Sequence, residues 1–192
     1  MKNRQASASH QGGQLRLIGG QWRGRKLSFP TPDGLRPTGD RIRETLFNWL
    51  QADVVDARCL DLFAGSGALG LEALSRGAAH CTLLELNKQA WQQLRHNCDL
   101  LKAQGADVLN VDSLAWLAQT DQQFDLIFLD PPFAQQLWQR AIELLNRSNC
   151  LSDQAIVYVE SPKNLPLETP PHWHLSREKV AGEVCYRLYR LL

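Results

Sequence analysis

The chain has no run of eighteen apolar residues, so nothing in it is expected to span a membrane. Its first fourteen residues, Met1–Gln14, hold no apolar stretch of the kind a secretory signal needs, and they read as a flexible tail. Cysteine is sparse and unpatterned. Cys59, Cys81, Cys98, Cys150 and Cys185 are odd in number, widely spread and never form a Cys-x-x-Cys pair. That spacing argues against a disulfide framework or a zinc site and for reduced thiols packed in apolar surroundings. His172 and His174 flank Trp173 without a third ligand nearby and are expected at the surface, so no metal is expected. The cytoplasm suits such a chain. Neither internal repeats nor low-complexity segments interrupt it. What remains, 192 residues, is enough for one domain with a sizeable core and a small appendage.

Charge is unevenly spread. Residues 1–43 carry nine Lys/Arg against Asp33 and Asp40, a net +7, whereas the remainder is −6. A basic arm on an acidic body suits a polyanion-binding element attached to a separate catalytic unit. Within that arm Leu15–Leu27 reads as a short hairpin with glycines at its turn and bulge positions, followed by an irregular Pro30–Pro37 connection. Thr38 or Asp40 is the expected cap of a helix whose apolar face is Ile42, Leu46, Trp49 and Leu50.

From Arg58 onward strand-like and helix-like runs alternate. Strands are expected at Cys59–Phe63, Cys81–Leu86, Asp107–Val111, Phe124–Leu129 and Ala155–Val159. Helices are expected at Ala68–Arg76, Lys88–Ala103, Ser113–Gln119 and Gln135–Arg147. This is a βα repeat, hence an α/β fold with a parallel sheet covered on both faces. Two final strands, Trp173–Arg177 and Val184–Leu191, joined through Val180–Glu183, close it as an antiparallel hairpin. That ending distinguishes methyltransferase sheets from dinucleotide-binding ones. Trp49, Trp91, Trp116 and Trp138 fall at packing positions.

Two motifs carry chemistry. The stretch Asp61-Leu-Phe63-Ala-Gly65-Ser66-Gly67-Ala-Leu-Gly70 joins a strand to a helix, as a cofactor loop does, although a tight βα turn alone would also want small residues there. Asp61 ends that strand, Glu85 follows Gly65 by twenty residues at the end of the next, and Asp112-Ser113 ends the third. Ligands of open α/β sheets bind at such strand ends. Asp61 would face a cofactor ammonium group, Glu85 ribose hydroxyls and Asp112 an adenine edge. Asp61 could instead bind loop amides, and Asp112 could cap the following helix. A carboxylate at Asp61 would repel a pyrophosphate, which favours S-adenosyl-L-methionine over NAD. The second motif, Asp130-Pro131-Pro132-Phe133, ends the apolar strand Phe124–Leu129, because two prolines cannot continue a ladder. The Asp130 carboxylate and the Pro131 carbonyl are acceptors for the two hydrogens of an exocyclic amine, and Phe133 offers a stacking face for a nucleobase. Amino-methylation of an unstacked base is the chemistry this set suits.

With those residues in place, the chain resembles the RsmD family of bacterial small-subunit ribosomal RNA guanine-N2 methyltransferases. The likeness rests on Arg16–Leu27, Arg36–Leu50, the Asp61–Gly70 loop and Asp130–Phe133. It implies a Rossmann-like, seven-stranded, S-adenosylmethionine-dependent class I methyltransferase domain over residues 38–192, preceded by a basic hairpin extension at 15–37. It implies a guanine of 16S ribosomal RNA as target, within the assembled small subunit, and an enzyme acting as a monomer. By that likeness Asp130, Pro131, Pro132 and Phe133 form the target-base motif. Asp61, Phe63, Gly65, Ser66, Gly67, Glu85, Asp112 and Ser113 hold the cofactor, with Thr38 and Arg41 beside its methionine end. Arg16, Trp22, Arg23, Arg25, Lys26, Arg36 and Arg43 are the expected RNA contacts, the cations for phosphates and Trp22 for stacking. Phe133 stands where related enzymes often carry Tyr, so stacking is kept and a phenolic hydrogen bond is not. Two alternatives remain at this point. One is a DNA adenine-N6 methyltransferase, against which stands the lack of a sizeable target-recognition domain. The other is a non-catalytic RNA-binding assembly factor.

Overall fold

The computed structural model describes residues 12–30 and 38–192. Arg36, most of the expected tail and most of the Pro30–Pro37 connection lie outside the described residues.

Strands β1 (Gly13–Arg16) and β2 (Lys26–Phe29) pair antiparallel, with Leu15 opposite Leu27. The hairpin therefore begins at Gly13, two residues inside the segment expected to be tail. Its connection includes a 3-10 turn at Gly20–Trp22. Leu15, Leu17, Leu27 and Phe29 alternate inward and join the main core, so the hairpin is packed on the domain by its apolar face. Gly20 has φ +71, and a Cβ there would lie 1.7 Å from the Ser75 carbonyl, which only glycine avoids.

Helix α1 (Asp40–Trp49) follows. Its N-cap is Gly39, with no side-chain cap, so neither Thr38 nor Asp40 caps it. Asp40 is instead the first helical residue, where a carboxylate favours the helix dipole. The α/β succession is β3 (Arg58–Asp61), α2 (Gly70–Ser75), β4 (His80–Leu84), α3 (Lys88–Leu101), β5 (Ala106–Leu109), α4 (Ser113–Leu117), β6 (Phe124–Leu129), α5 (Trp138–Arg147) and β7 (Leu151–Pro162). The last two strands are β8 (Trp173–Ala181) and β9 (Val184–Leu191). β8 runs four residues further than its composition suggested, because cross-strand bonds to β9 carry it to a two-residue turn at Gly182-Glu183. β7 likewise starts at Leu151 and ends at Pro162, paired on both sides.

The seven-stranded sheet has the order β5-β4-β3-β6-β7-β9-β8, parallel through β7 and closed by the antiparallel β9 and β8. Alternation along the central strands sends Cys59, Leu126, Phe128, Ile156 and Tyr158 to one face, against α1, α2, α3 and the hairpin. Leu60, Ile127, Leu129, Val157 and Val159 go to the other face, against α4 and α5. All five cysteines are free and buried, and burial pushes the Cys98 thiol up to about 11. Trp173 is buried, while His172 and His174 on either side of it are exposed. Among the described residues, no helix is long and apolar enough to cross a membrane.

Candidate active site

The parallel run of β5, β4, β3 and β6 brings four acids together along one edge. Asp112 follows β5, Glu85 follows β4, Asp61 ends β3 and Asp130 follows β6, and those four strands are neighbours in that order. A row of carboxylates at the carboxyl edge, beside a glycine loop, fits a cationic ligand that also carries hydroxyls and an amine.

The loop is held by these acids. Asp61 Oδ2 accepts the Gly70 N–H at 3.0 Å, which fixes the entry to α2. Glu85 accepts the Gly65 N–H at 2.8 Å through Oε2 and the Asn87 N–H at 2.7 Å through Oε1. Each oxygen retains a second lone pair for a ligand hydroxyl. Gly67 has φ +80, and a Cβ on it would come within 2.5 Å of Leu94 and 2.8 Å of Leu71. Ser66 is buried, and Phe63 is half-buried against the second core. Asp112 is exposed and caps α4 through the Ala115 N–H at 2.8 Å, which leaves its other oxygen outward. The Ser113 hydroxyl is committed to the Leu62 carbonyl, so its structural part is to tie α4 to the strand end; its side chain is not a free cofactor donor.

Burial pushes the Asp61 carboxyl up to about 7, with the Gly70 and Phe63 amides opposing and Glu85 adding to the rise. The folded chain thus keeps a proton on Asp61 between about pH 4 and 7 that the unfolded chain has released. Stability from this group is fully present below about pH 4 and is lost as pH climbs through 7. Asp61→Asn removes that dependence. Urea denaturation at about pH 4 and about pH 8 should show the variant gaining on the parent as pH rises, by on the order of 4 kcal/mol at most. An unchanged difference would mean that Asp61 is ionised throughout.

At the end of β6 the chain leaves the sheet at Asp130. Pro131 is buried, Pro132 is exposed, and a 3-10 turn covers Phe133–Gln135. Phe133 is 38% exposed and packs edge-on against Trp138, with ring centroids 5.4 Å apart at 67°. Part of its ring is therefore open to solvent. Among the described residues nothing donates to the Pro131 carbonyl, while the Pro132 carbonyl accepts the Gln135 N–H at 3.0 Å. The Thr38 hydroxyl donates to Asp130 Oδ2 at 3.0 Å, which places Thr38 at the target-base motif. Burial, and then the neighbouring Glu160, hold the Asp130 carboxyl well above its ordinary range. Arg41 is exposed in the first turn of α1.

Several expected RNA contacts are placed otherwise. Arg43 is fully buried. Its guanidinium bonds Glu72 Oε2 at 3.3 Å, Asp40 Oδ1 at 2.6 Å and the carbonyls of Thr38 and Arg16 at 3.2 and 2.9 Å. It is a core ion-pair centre and cannot reach a phosphate. Its position on the inward face of α1, three residues after Asp40, is why charge alone misplaced it. Trp22 is half-buried against the core, with its backbone N–H on Ser75 Oγ at 3.0 Å, so its ring is largely used in packing. Arg16 is exposed and ion-paired to Asp40. Arg23 and Lys26 are exposed, and Arg25 bonds the Leu100 carbonyl at 3.2 Å.

The hairpin tip also lies away from the pocket. It meets Ser75 at the end of α2 and Leu100 at the end of α3, whereas the glycine loop and Asp130 lie where those helices begin. Those helices are about 9 Å (α2, six residues) and about 21 Å (α3, fourteen residues) long. Glu160 lies beside Asp130, and the Tyr158 hydroxyl is bonded to it. The one sequence signal for Glu160 was its place at the end of a strand.

The family model described as conserved hypothetical protein 95 matches residues 15–190. "Ribosomal RNA small subunit methyltransferase D" of Escherichia coli is 55% identical over 184 residues, covering 95% of this chain and 93% of that protein. A solved structure described as "Putative methyltransferase yhhF from Escherichia coli" has TM-score 0.86 at 56% identity, over 93% of this chain and 98% of its own. At the level of fold alone, a putative methyltransferase complexed with SAH superposes with TM-score 0.65 at 14% identity, over 88% of this chain and 54% of that one. A match along nearly the whole length, by a family model and by relatives of more than half identity, places this chain in the RsmD family.

Proposed function

We propose that the protein methylates the exocyclic N2 of a guanine in 16S ribosomal RNA, using S-adenosyl-L-methionine, within the assembled small subunit. The observation that carries this reading is the juxtaposition at one sheet edge of three strand-end acids, Asp61, Glu85 and Asp112, with Asp130-Pro131-Pro132-Phe133. The name of the Escherichia coli relative and the SAH held by the fold neighbour support it. The two alternatives, DNA adenine methylation and a non-catalytic scaffold, find no support among the relatives.

When bound, the cofactor supplies an electrophilic methyl group on a sulfonium. Glu85 would take its ribose hydroxyls, the free oxygen of Asp112 its adenine amine, and the Asp61–Gly67 region its amino-acid end. Asp130 and the Pro131 carbonyl hold the two hydrogens of the target amine and turn its lone pair toward the methyl group, while Phe133 stacks on the base, worth roughly 1–3 kcal/mol. Positioning and electrostatics then lower the barrier to in-line displacement. The protein acts as a monomer in the cytoplasm, with residues 15–37 as an RNA-binding extension and 38–192 as the catalytic domain.

The decisive test is transfer of labelled methyl from the cofactor to small subunits purified from cells lacking the protein, with duplex DNA as comparison and mass-spectrometric mapping of the product. Label at guanine N2 of 16S RNA is expected; label only in DNA overturns the reading. Because the hairpin tip meets the far ends of α2 and α3, Arg23 and Arg25 act as a remote anchor on the same RNA. Replacing both with Ala should weaken RNA binding and flatten the slope of log K against log salt by about one unit per lost phosphate contact. An unchanged slope would remove the tip from the RNA interface.

A further inference from the structure

Asp130 and Glu160 are cross-strand neighbours. Leu129 pairs with Val159 in the parallel β6–β7 register, and each acid is the next residue along. Adjacent strands are about 4.8 Å apart. Phe128 and Tyr158 meet edge-to-face in the first core, and alternation puts the side chains two residues later on that same face. The Thr38 hydroxyl donates to Asp130 Oδ2 at 3.0 Å. On the other acid the Tyr158 hydroxyl donates to Glu160 Oε2 at 2.8 Å, and the Trp138 indole N–H holds the Glu160 carbonyl at 2.7 Å. Glu160 is 6% exposed and, among the described residues, has no cation facing it.

The other charged and titratable groups described around the pair leave it in this state. Asp61 on β3 adds negative potential, and Tyr186 lies opposite Glu160 on β9. Arg43 bonds the Thr38 carbonyl, but Glu72 and Asp40 take up its charge. Arg187 on β9 belongs to the opposite face, on Ser161 Oγ and Glu178. Two adjacent carboxylates with no cation between them among the described residues cannot both ionise readily.

We infer that Glu160 is a positioning residue for Asp130: the two adjacent carboxyls share one proton, the Tyr158 hydroxyl holds Glu160 and the Thr38 hydroxyl holds Asp130 Oδ2, so that Asp130 is fixed as the acceptor aimed at the target amine. This deepens the methyl-transfer reading and rests on it. As the amine nitrogen bonds the methyl carbon, the carbon–sulfur bond breaks with its electron pair going to sulfur, and the proton lost by nitrogen passes to the Asp130 carboxylate. Burial raises both acids, and Glu160 raises Asp130 further, as such a shared proton requires.

Carboxyl carbon NMR titration of the free protein, Glu160→Gln and Asp130→Asn, tests the pair without substrate. In the parent the two carboxyls should titrate together in two steps, the upper one above the ordinary carboxylate range. In Glu160→Gln, which can still accept from Tyr158, Asp130 should titrate in one step, below that upper one. An Asp130 titration identical in parent and Glu160→Gln overturns the inference. In methyl transfer, Glu160→Ala should lower kcat about tenfold or more with cofactor affinity unchanged, and Glu160→Gln should restore most of it; equal kcat for Glu160→Ala and parent also overturns it. A parent enzyme that transfers no methyl to RNA defeats the proposed function, while the titration still decides the state of the pair.

Discussion

Replacing Asp130 with alanine is expected to lower kcat/KM for methyl transfer about 10²–10⁴-fold, the range for a positioned proton acceptor, while cofactor affinity stays nearly unchanged. The reason is geometric. Asp130 follows β6, beside rather than within the glycine loop, and its Oδ2 is already fixed by Thr38 at 3.0 Å. The loop amides are bound by Asp61 and Glu85, so removing the Asp130 carboxylate leaves the loop intact. Asparagine at 130 keeps an acceptor oxygen but not the ability to take a proton, and should fall between alanine and the parent. Transfer kinetics with isothermal titration of the cofactor separates the two effects. Full activity in Asp130→Ala would show that the main-chain carbonyl alone holds the amine, and a parallel collapse of cofactor affinity would place Asp130 in cofactor binding.

Glu72→Ala should destabilise the fold by about 3–5 kcal/mol, the cost of leaving a buried charge without its partner. Glu72 is fully buried in α2 and accepts three donors from three parts of the chain: Arg43 from α1, Arg76 from the end of α2, and the Ile18 N–H from the hairpin. Alanine would take from Arg43 its buried counter-ion, leaving only the exposed Asp40, and would leave the part-buried Ile18 amide unpaired. It would also loosen the hairpin, whose Ile18 and Trp22 amides are clamped on α2. Since Arg43 also bonds the Thr38 carbonyl, part of the loss should appear as reduced kcat at temperatures where the variant is still folded. By contrast Arg16→Ala, which removes an exposed pair with Asp40, should cost no more than about 1 kcal/mol. Urea denaturation of the three proteins side by side is the measurement. A Glu72→Ala loss no larger than that of Arg16→Ala would mean the core relaxes to admit water around Arg43.

The two-sided sheet was legible because its evidence is local. Phe124–Leu129 is an apolar run interrupted only by Asp125 and stopped by Pro131 and Pro132, and it is the strand observed. Asp112 before Ser113 marks a helix start through its side-chain oxygen, and it caps in the structure. The acids at 61, 85, 112 and 130 could be assigned to one edge because every strand of a βα repeat runs the same way, so all of their carboxyl ends lie together. Capping at α1 was less legible: Thr38 and Asp40 are both good caps by type, yet Thr38 is drawn to Asp130, ninety-two positions away, and the cap falls to Gly39.

What the residues determined alone was therefore the fold class, the edge on which chemistry occurs and the identity of the strand-ending motif, since period, capping and proline blocks act over a few neighbours. Only tertiary packing decided that Arg43 is a buried ion-pair centre, that the Trp22–Arg25 tip lies at the end of the helices remote from the pocket, and that Glu160 stands beside Asp130. Those facts depend on strand register and on which helix face meets the sheet. They join residues far apart in the chain, and no count of charge or spacing along it contains them.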